Sequence, residues 1–173
     1  MKTILEWVGP LSMRELLTSP DKRDQFSRSG VYIWEEQTDN AYCVSYVGKG
    51  NNLWKRQLEH YWYQLGSAYL LPGRYRDCGE DWSLDMSSLH VQETLFDLPK
   101  FTKLVSENFA YINSLRIHLA FTDDTKVVEA NLIYALQPVG NSRGKVTPPA
   151  TVIEFEHRNR KWTANNTPED IRR

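Results

Sequence analysis

The sequence predicts a single α/β (α+β) domain built on a small, mainly antiparallel, three-stranded central sheet flanked by helices. Three observations predict it. Val31 to Glu36 and Tyr42 to Gly48 are β-branched and aromatic runs joined by the turn-forming Gln37-Thr38-Asp39-Asn40, the pattern of a β-hairpin. Leu115 to Thr122 alternates, with Leu115, Ile117, Leu119 and Phe121 on one face, as a third strand. Helical periodicity fills two stretches, from near Leu53 to Leu65 and from about Thr125 to Gln137.

Composition sets the bounds. A chain of 173 residues, 40% hydrophobic and 25% charged, suits one well-buried domain of ordinary globular type. Glu6 interrupts the apolar N-terminus, so no signal peptide is predicted, and no run approaches the length of a membrane span. Cys43 and Cys78 lack any disulfide or metal-pair spacing; Cys43, inside a strand, reads as a small buried hydrophobe. These features predict a cytoplasmic protein with no membrane partner. Net charge is −1, yet the charge is unevenly spread. Asp77 to Pro99 holds six acids and no Lys or Arg, whereas Asn141 to Arg173 holds seven bases against four acids. Such a bipolar surface permits phosphate contacts on one side.

Taken in order, the chain begins with a short strand from Ile4 to Val8, a turn at Gly9-Pro10 and a helix from about Ser12 to Leu17. Pro20 and the charged run Asp21 to Asp24 lead into the hairpin. A register with Tyr32 opposite Tyr46 centres the hairpin on Asp39 and sets the two phenols side by side; any register of even sum keeps both on one face. Gly48-Lys49-Gly50 then turns the backbone sharply, and Asn51 or Asn52 caps the next helix. A lysine in a glycine turn at a helix N-terminus is an anion cradle, although the Walker spacing is missing. Within that helix Trp54, Leu58, Tyr61, Trp62 and Leu65 form the apolar stripe, while Arg56 and His60 share a face that the core does not use.

Gly66 to Leu98 is rich in turn residues and acids, and an amphipathic helix follows from Phe101 to Ile112. On the third strand His118 falls beside Arg116, away from the core face, as a surface residue. The helix from about Thr125, capped by Asp123 or Asp124, is apolar nearly all round and therefore buried. Glu129 inside it needs a cation: Arg56, Lys49 or a metal. Pro138 ends that helix, and Asn141 sits in the turn that follows. Thr151 to His157 alternates as a further strand, and Thr167-Pro168 starts a last short helix.

Together these pieces resemble the GIY-YIG nuclease superfamily. Gly30-Val31-Tyr32 stands for the first motif and Tyr46-Val47-Gly48, followed by Lys49, for the second. Arg56 falls ten positions after Tyr46 and His60 four after that; Asn141 follows Glu129 by twelve. The resemblance covers residues 30–66 and 115–144 as the core, with 67–114 as an insertion and 145–173 as a C-terminal extension. It implies a metal-dependent DNA endonuclease hydrolysing phosphodiester bonds by one-metal in-line attack of water. Under it Glu129 holds Mg²⁺ or Mn²⁺, and Tyr32 or Tyr46 orients or deprotonates the water. Lys49 depresses a phenol, Arg56 binds the scissile phosphate, His60 supports it or aids the leaving group, and Asn141 braces the site. DNA, through its phosphate backbone, is the implied partner, with a protein partner open to the acidic insertion. Two other readings stand beside it: a catalytically silent GIY-YIG-like module binding DNA or protein, with a Glu129–Arg56 bridge, and a nucleotide hydrolase using the Gly-Lys-Gly cradle.

Overall fold

Runs of β-branched and aromatic residues, buried on both faces, make the central strands, and capping signals place helices between them. In the computed structural model the described residues are 2–37, 42–65, 98–141 and 148–162. Among them the order is β1 (Lys2–Glu6), β2 (Val8–Leu11), α1 (Met13–Thr18), α2 (Pro20–Phe26), β3 (Gly30–Gln37), β4 (Tyr42–Gly50), α3 (Leu53–Leu65), α4 (Leu98–Ser114), β5 (Arg116–Phe121), α5 (Thr125–Leu136) and β6 (Glu154–Arg158). The central sheet is antiparallel in the order β2-β5-β3-β4, and β1 pairs with β6 in a separate parallel ribbon. No helix among the described residues is long and apolar enough to cross a membrane.

The mixed α/β class and the small antiparallel sheet agree with the sequence reading; the strand count does not. The central sheet has four strands, because the predicted Gly9-Pro10 turn lies inside a strand that pairs with β5, Val8 opposite Leu119 and Leu11 opposite Ile117. The charged run after Pro20 forms helix α2, with proline at its first turn, where a missing N–H costs nothing. Ser12 caps α1 through a reciprocal capping box with Glu15. The hairpin loop, the insertion up to residue 97 with its acids, and Thr167-Pro168 all lie outside the described residues.

The sheet's two faces carry separate apolar clusters. One contains Tyr32, Trp34, Ile117 and Leu119 and packs against Met13, Leu16, Phe26, Leu53 and Ile112 from the four helices α1 to α4. The other contains Val31, Ile33, Val44, Val47 and Ala120 and packs against Val128, Leu132, Ile133 and Leu136 of α5, with Leu5, Trp7 and Ile153. Helix α5 buries one side, through Val128, Asn131, Leu132, Ile133 and Leu136, whereas Lys126, Tyr134 and Ala135 are exposed, so the burial that its composition predicts holds for that side alone.

His118 corrects the expectation of a surface residue. It is fully buried, and its Nε2–H donates to Glu35 Oε2 at 2.8 Å; Arg160 Nη2 donates to Glu35 Oε1 at 2.5 Å. Burial pushes the Glu35 carboxyl up, but the bonds from His118 and Arg160 outweigh it and leave the group below the usual carboxylate range. The C-terminal segment is pinned to the sheet by this cluster. Of the bases expected to face phosphate, Arg160 is therefore engaged internally and Arg158 pairs with Glu156 at 3.0 Å. Cys43 is half-buried rather than enclosed. Replacing Glu35 by Ala leaves buried donors unpaired, so E35A should lower unfolding stability by about 2 kcal/mol in urea titration, whereas an unchanged midpoint would deny the cluster its clamping role.

Candidate active site

The last five residues of β4 collect the side chains that the sequence singles out. The hairpin register is not the predicted one: Trp34, not Tyr32, faces Tyr46, and Tyr32 faces Gly48. A bulge at Ser45 shifts the pairing by one residue beyond that point, so a register inferred from the loop's centre fails. The sum through Tyr32 is still even, and both phenols do lie on one face, with ring centroids 6.1 Å apart.

Gly48 is what lets Tyr32 occupy its place. A Cβ there would lie 2.3 Å from Tyr32 Oη, so the phenol fills the space where a side chain would stand. Tyr32 is fully buried and hydrogen-bonded to His60 Nε2. Burial pushes its pKa well above the usual phenol range, and Tyr46 adds to this, against the opposing pull of the Arg56 guanidinium. Arg56, which can only donate, favours the ionised phenol, and the His60 tautomer sets which way the Tyr32–His60 bond runs.

His60 departs most from its expected place. It is buried rather than solvent-facing, with Trp34, Tyr32 and Tyr46 ring centroids 4.9, 5.6 and 6.0 Å away. Burial, reinforced by Arg56, lowers its pKa to about 3, so the imidazole is neutral at physiological pH. The face of α3 turned inward is Leu53, Gln57, His60 and Gln64, at helical spacing. Gln57 accepts from Trp34 Nε1 at 2.9 Å, a contact that sequence reading missed. Its signal was present in the i, i+4, i+7, i+11 stripe, hidden by reading glutamine as solvent-facing. The apolar stripe lies towards other helices: Trp54 Nε1 donates to Leu16 O at 3.2 Å, and Trp62 is 63% exposed. Asn52 caps α3, accepting from Lys55 N at 2.8 Å.

Asn141 acts as a surrogate strand residue. Its Oδ1 accepts from Val47 N at 2.9 Å and its Nδ2 donates to Val47 O at 2.8 Å, while Gly140 N donates to Ser45 O at 2.6 Å. The outer edge of β4 is closed by these bonds. Arg56, partly exposed, pairs with Glu59 at 3.1 Å, and a Cβ on Gly50 would stand 3.0 Å from Arg56 Cβ.

Glu129 approaches from the other face of the sheet, where it is ion-paired to Lys49, not Arg56. Its charge still reaches Tyr32, whose ionised form it disfavours. The expected residues thus form two groups: Tyr32, Tyr46, Arg56 and His60 on the α3 face, Lys49 and Glu129 on the α5 face, with Asn141 at the strand edge between them. A groove of about 620 Å³, bordered by Met13, Leu17, Leu58, Tyr61, Trp62 and Phe109, lies between α1, α3 and α4 and holds none of them.

No group of three or more His, Cys, Asp or Glu that could hold a metal occurs among the described residues. The donor at Glu129 fits a hard divalent ion instead. It is a single carboxylate, 18% exposed and already paired with an ammonium, and such a donor would suit Mg²⁺, which keeps much of its water. Comparison with known proteins returns no matching family model, no matching curated protein and no matching solved structure.

The neutral His60 has a pH consequence. With its pKa at about 3 in the folded chain against 6.5 in the open one, the unfolded state binds more protons between these values. Stability is therefore full above pH 6.5 and falls as pH drops, by up to about 1.4 kcal/mol per unit. Urea titrations between pH 7 and 4.5 should show this slope in the wild type and a flatter one in His60→Gln; equal slopes would place the titrating group elsewhere.

Proposed function

We propose that this chain is a GIY-YIG-like, metal-dependent endonuclease that hydrolyses phosphodiester bonds in DNA. One observation carries the reading: five consecutive residues of β4 are each engaged by a member of the expected set. Tyr46 lies beside Tyr32 and His60, Val47 is held by Asn141, and Gly48 is covered by Tyr32. Lys49 is paired with Glu129, and Gly50 is packed by Arg56. Segments far apart in sequence thus converge on one strand end, beside a helix whose N-terminus favours anions.

The chemistry follows from exposure. Tyr46 is the phenol partly open to solvent, so it orients the attacking water, whereas buried Tyr32 holds Arg56 and His60 in place. Arg56 neutralises charge on the phosphate as phosphorus becomes pentacoordinate. Neutral His60 cannot donate a charge-assisted proton at physiological pH, and its part is to hold the Tyr32 phenol through their hydrogen bond. Glu129 would hold Mg²⁺ or Mn²⁺, which when bound stabilises developing negative charge as a Lewis acid. Asn141 fixes the strand on which these groups depend. Placing Glu129 on the far face of the edge strand implies that the substrate strand crosses that edge.

Nicking of supercoiled plasmid with Mg²⁺ tests the reading. Glu129→Ala and Tyr46→Phe should each lose at least about a hundredfold in rate, with thermal unfolding little changed. Tyr32→Phe should lose less than Tyr46→Phe. Full cleavage by Glu129→Ala would refute the ion-holding role.

A further inference from the structure

We propose that Lys49 is a placeholder cation at Glu129, exchanged for the divalent ion when that ion arrives; this rests on the reading of Glu129 as the ion-holding carboxylate. The observation is the ion pair itself. Lys49 Nζ contacts Glu129 Oε2, and Lys49 is the cation the described residues bring to that carboxylate. The two partners are unequally enclosed, the lysine side chain 38% exposed and the glutamate 18%. A carboxylate so enclosed is unfavourable without a counter-charge, so it needs one even before an ion binds. The ammonium sits on a flexible four-carbon stem between Gly48 and Gly50, and it can retreat into water while the carboxylate stays.

Energetics favour exchange over a permanent bridge. A pair whose ammonium is 38% exposed is screened by water and contributes about a factor of five in an equilibrium constant. A divalent ion brings twice the charge and takes the same oxygen, so it displaces the ammonium at small cost. Lys49 then leaves Glu129 as a free cation on β4, beside the residues that meet phosphate. In the absence of ion the pair keeps the carboxylate occupied and the site in a resting state.

Calorimetric titration of the full chain with Mn²⁺ alone, without nucleic acid, tests this. Lys49→Met should bind Mn²⁺ about fivefold more tightly than wild type, and Lys49→Gln should shift the same way. Lys55→Met removes an exposed charge on α3 that pairs with no carboxylate among the described residues and should leave the affinity unchanged. Equal or weaker binding by both Lys49 variants would overturn the exchange, as would an equal gain in Lys55→Met, which would mark a general charge effect. If neither wild type nor the Lys49 variants take up Mn²⁺, the ion-holding reading of Glu129 fails and the exchange fails with it.

Discussion

The missing side chain at position 48 is the constraint on which the rest of the site depends. Tyr32 Oη lies where a Cβ of residue 48 would be, so the two positions exclude each other. With glycine there, the phenol reaches across β4 to His60, and that bond fixes how α3 rolls against the sheet. The roll in turn presents Arg56 at the strand end and buries Gln57 and Gln64. A methyl at position 48 would push the ring back and turn the helix with it, because a packed interface shifts as a unit.

The rolled helix shows what hydrophobic periodicity can and cannot tell. Helical spacing groups residues on a face but does not name the neighbour that the face meets. The sheet face beneath α3 is aromatic with polar handles, namely the Trp34 indole N–H and the Tyr32 hydroxyl. Buried handles need partners, and Gln57 and His60 supply them. The apolar stripe through Trp54, Leu58 and Tyr61 is then free to pack against α1 and α4. Strand β5 was legible from its alternation, β3 from its β-branched and aromatic run, and helix α5 from a long apolar stretch that ends at Pro138. Strand β2 was not, since Gly9-Pro10 mimics a turn, and neither was the bulge at Ser45, which leaves no residue signature. The Glu35–His118–Arg160 cluster joins positions up to 125 apart in sequence, and only the fold brings them together. Asn141 was legible as a site residue, but its role as a substitute strand partner follows from geometry alone.

An edge strand usually presents unpaired backbone groups that invite aggregation. Here the edge of β4 is put to use: Val139, Gly140 and Asn141 satisfy its outer groups at Val44, Ser45 and Val47. The strand end beyond them carries a different chemistry on each side. Phenols and a guanidinium stand on one face and a carboxylate with its ammonium on the other, close enough for Glu129 to act on Tyr32. Under the proposed nuclease reading, a linear phosphodiester would cross this strand end.

The most direct measurement of that arrangement is an anomalous difference map from crystals soaked in Mn²⁺ with a short single-stranded oligonucleotide. The account predicts one ion peak at the Glu129 carboxylate, Lys49 withdrawn from it, and a backbone phosphate between the ion and Arg56 over the end of β4. An ion bound elsewhere, with Glu129 still paired to Lys49 and no phosphate near Arg56, would contradict it.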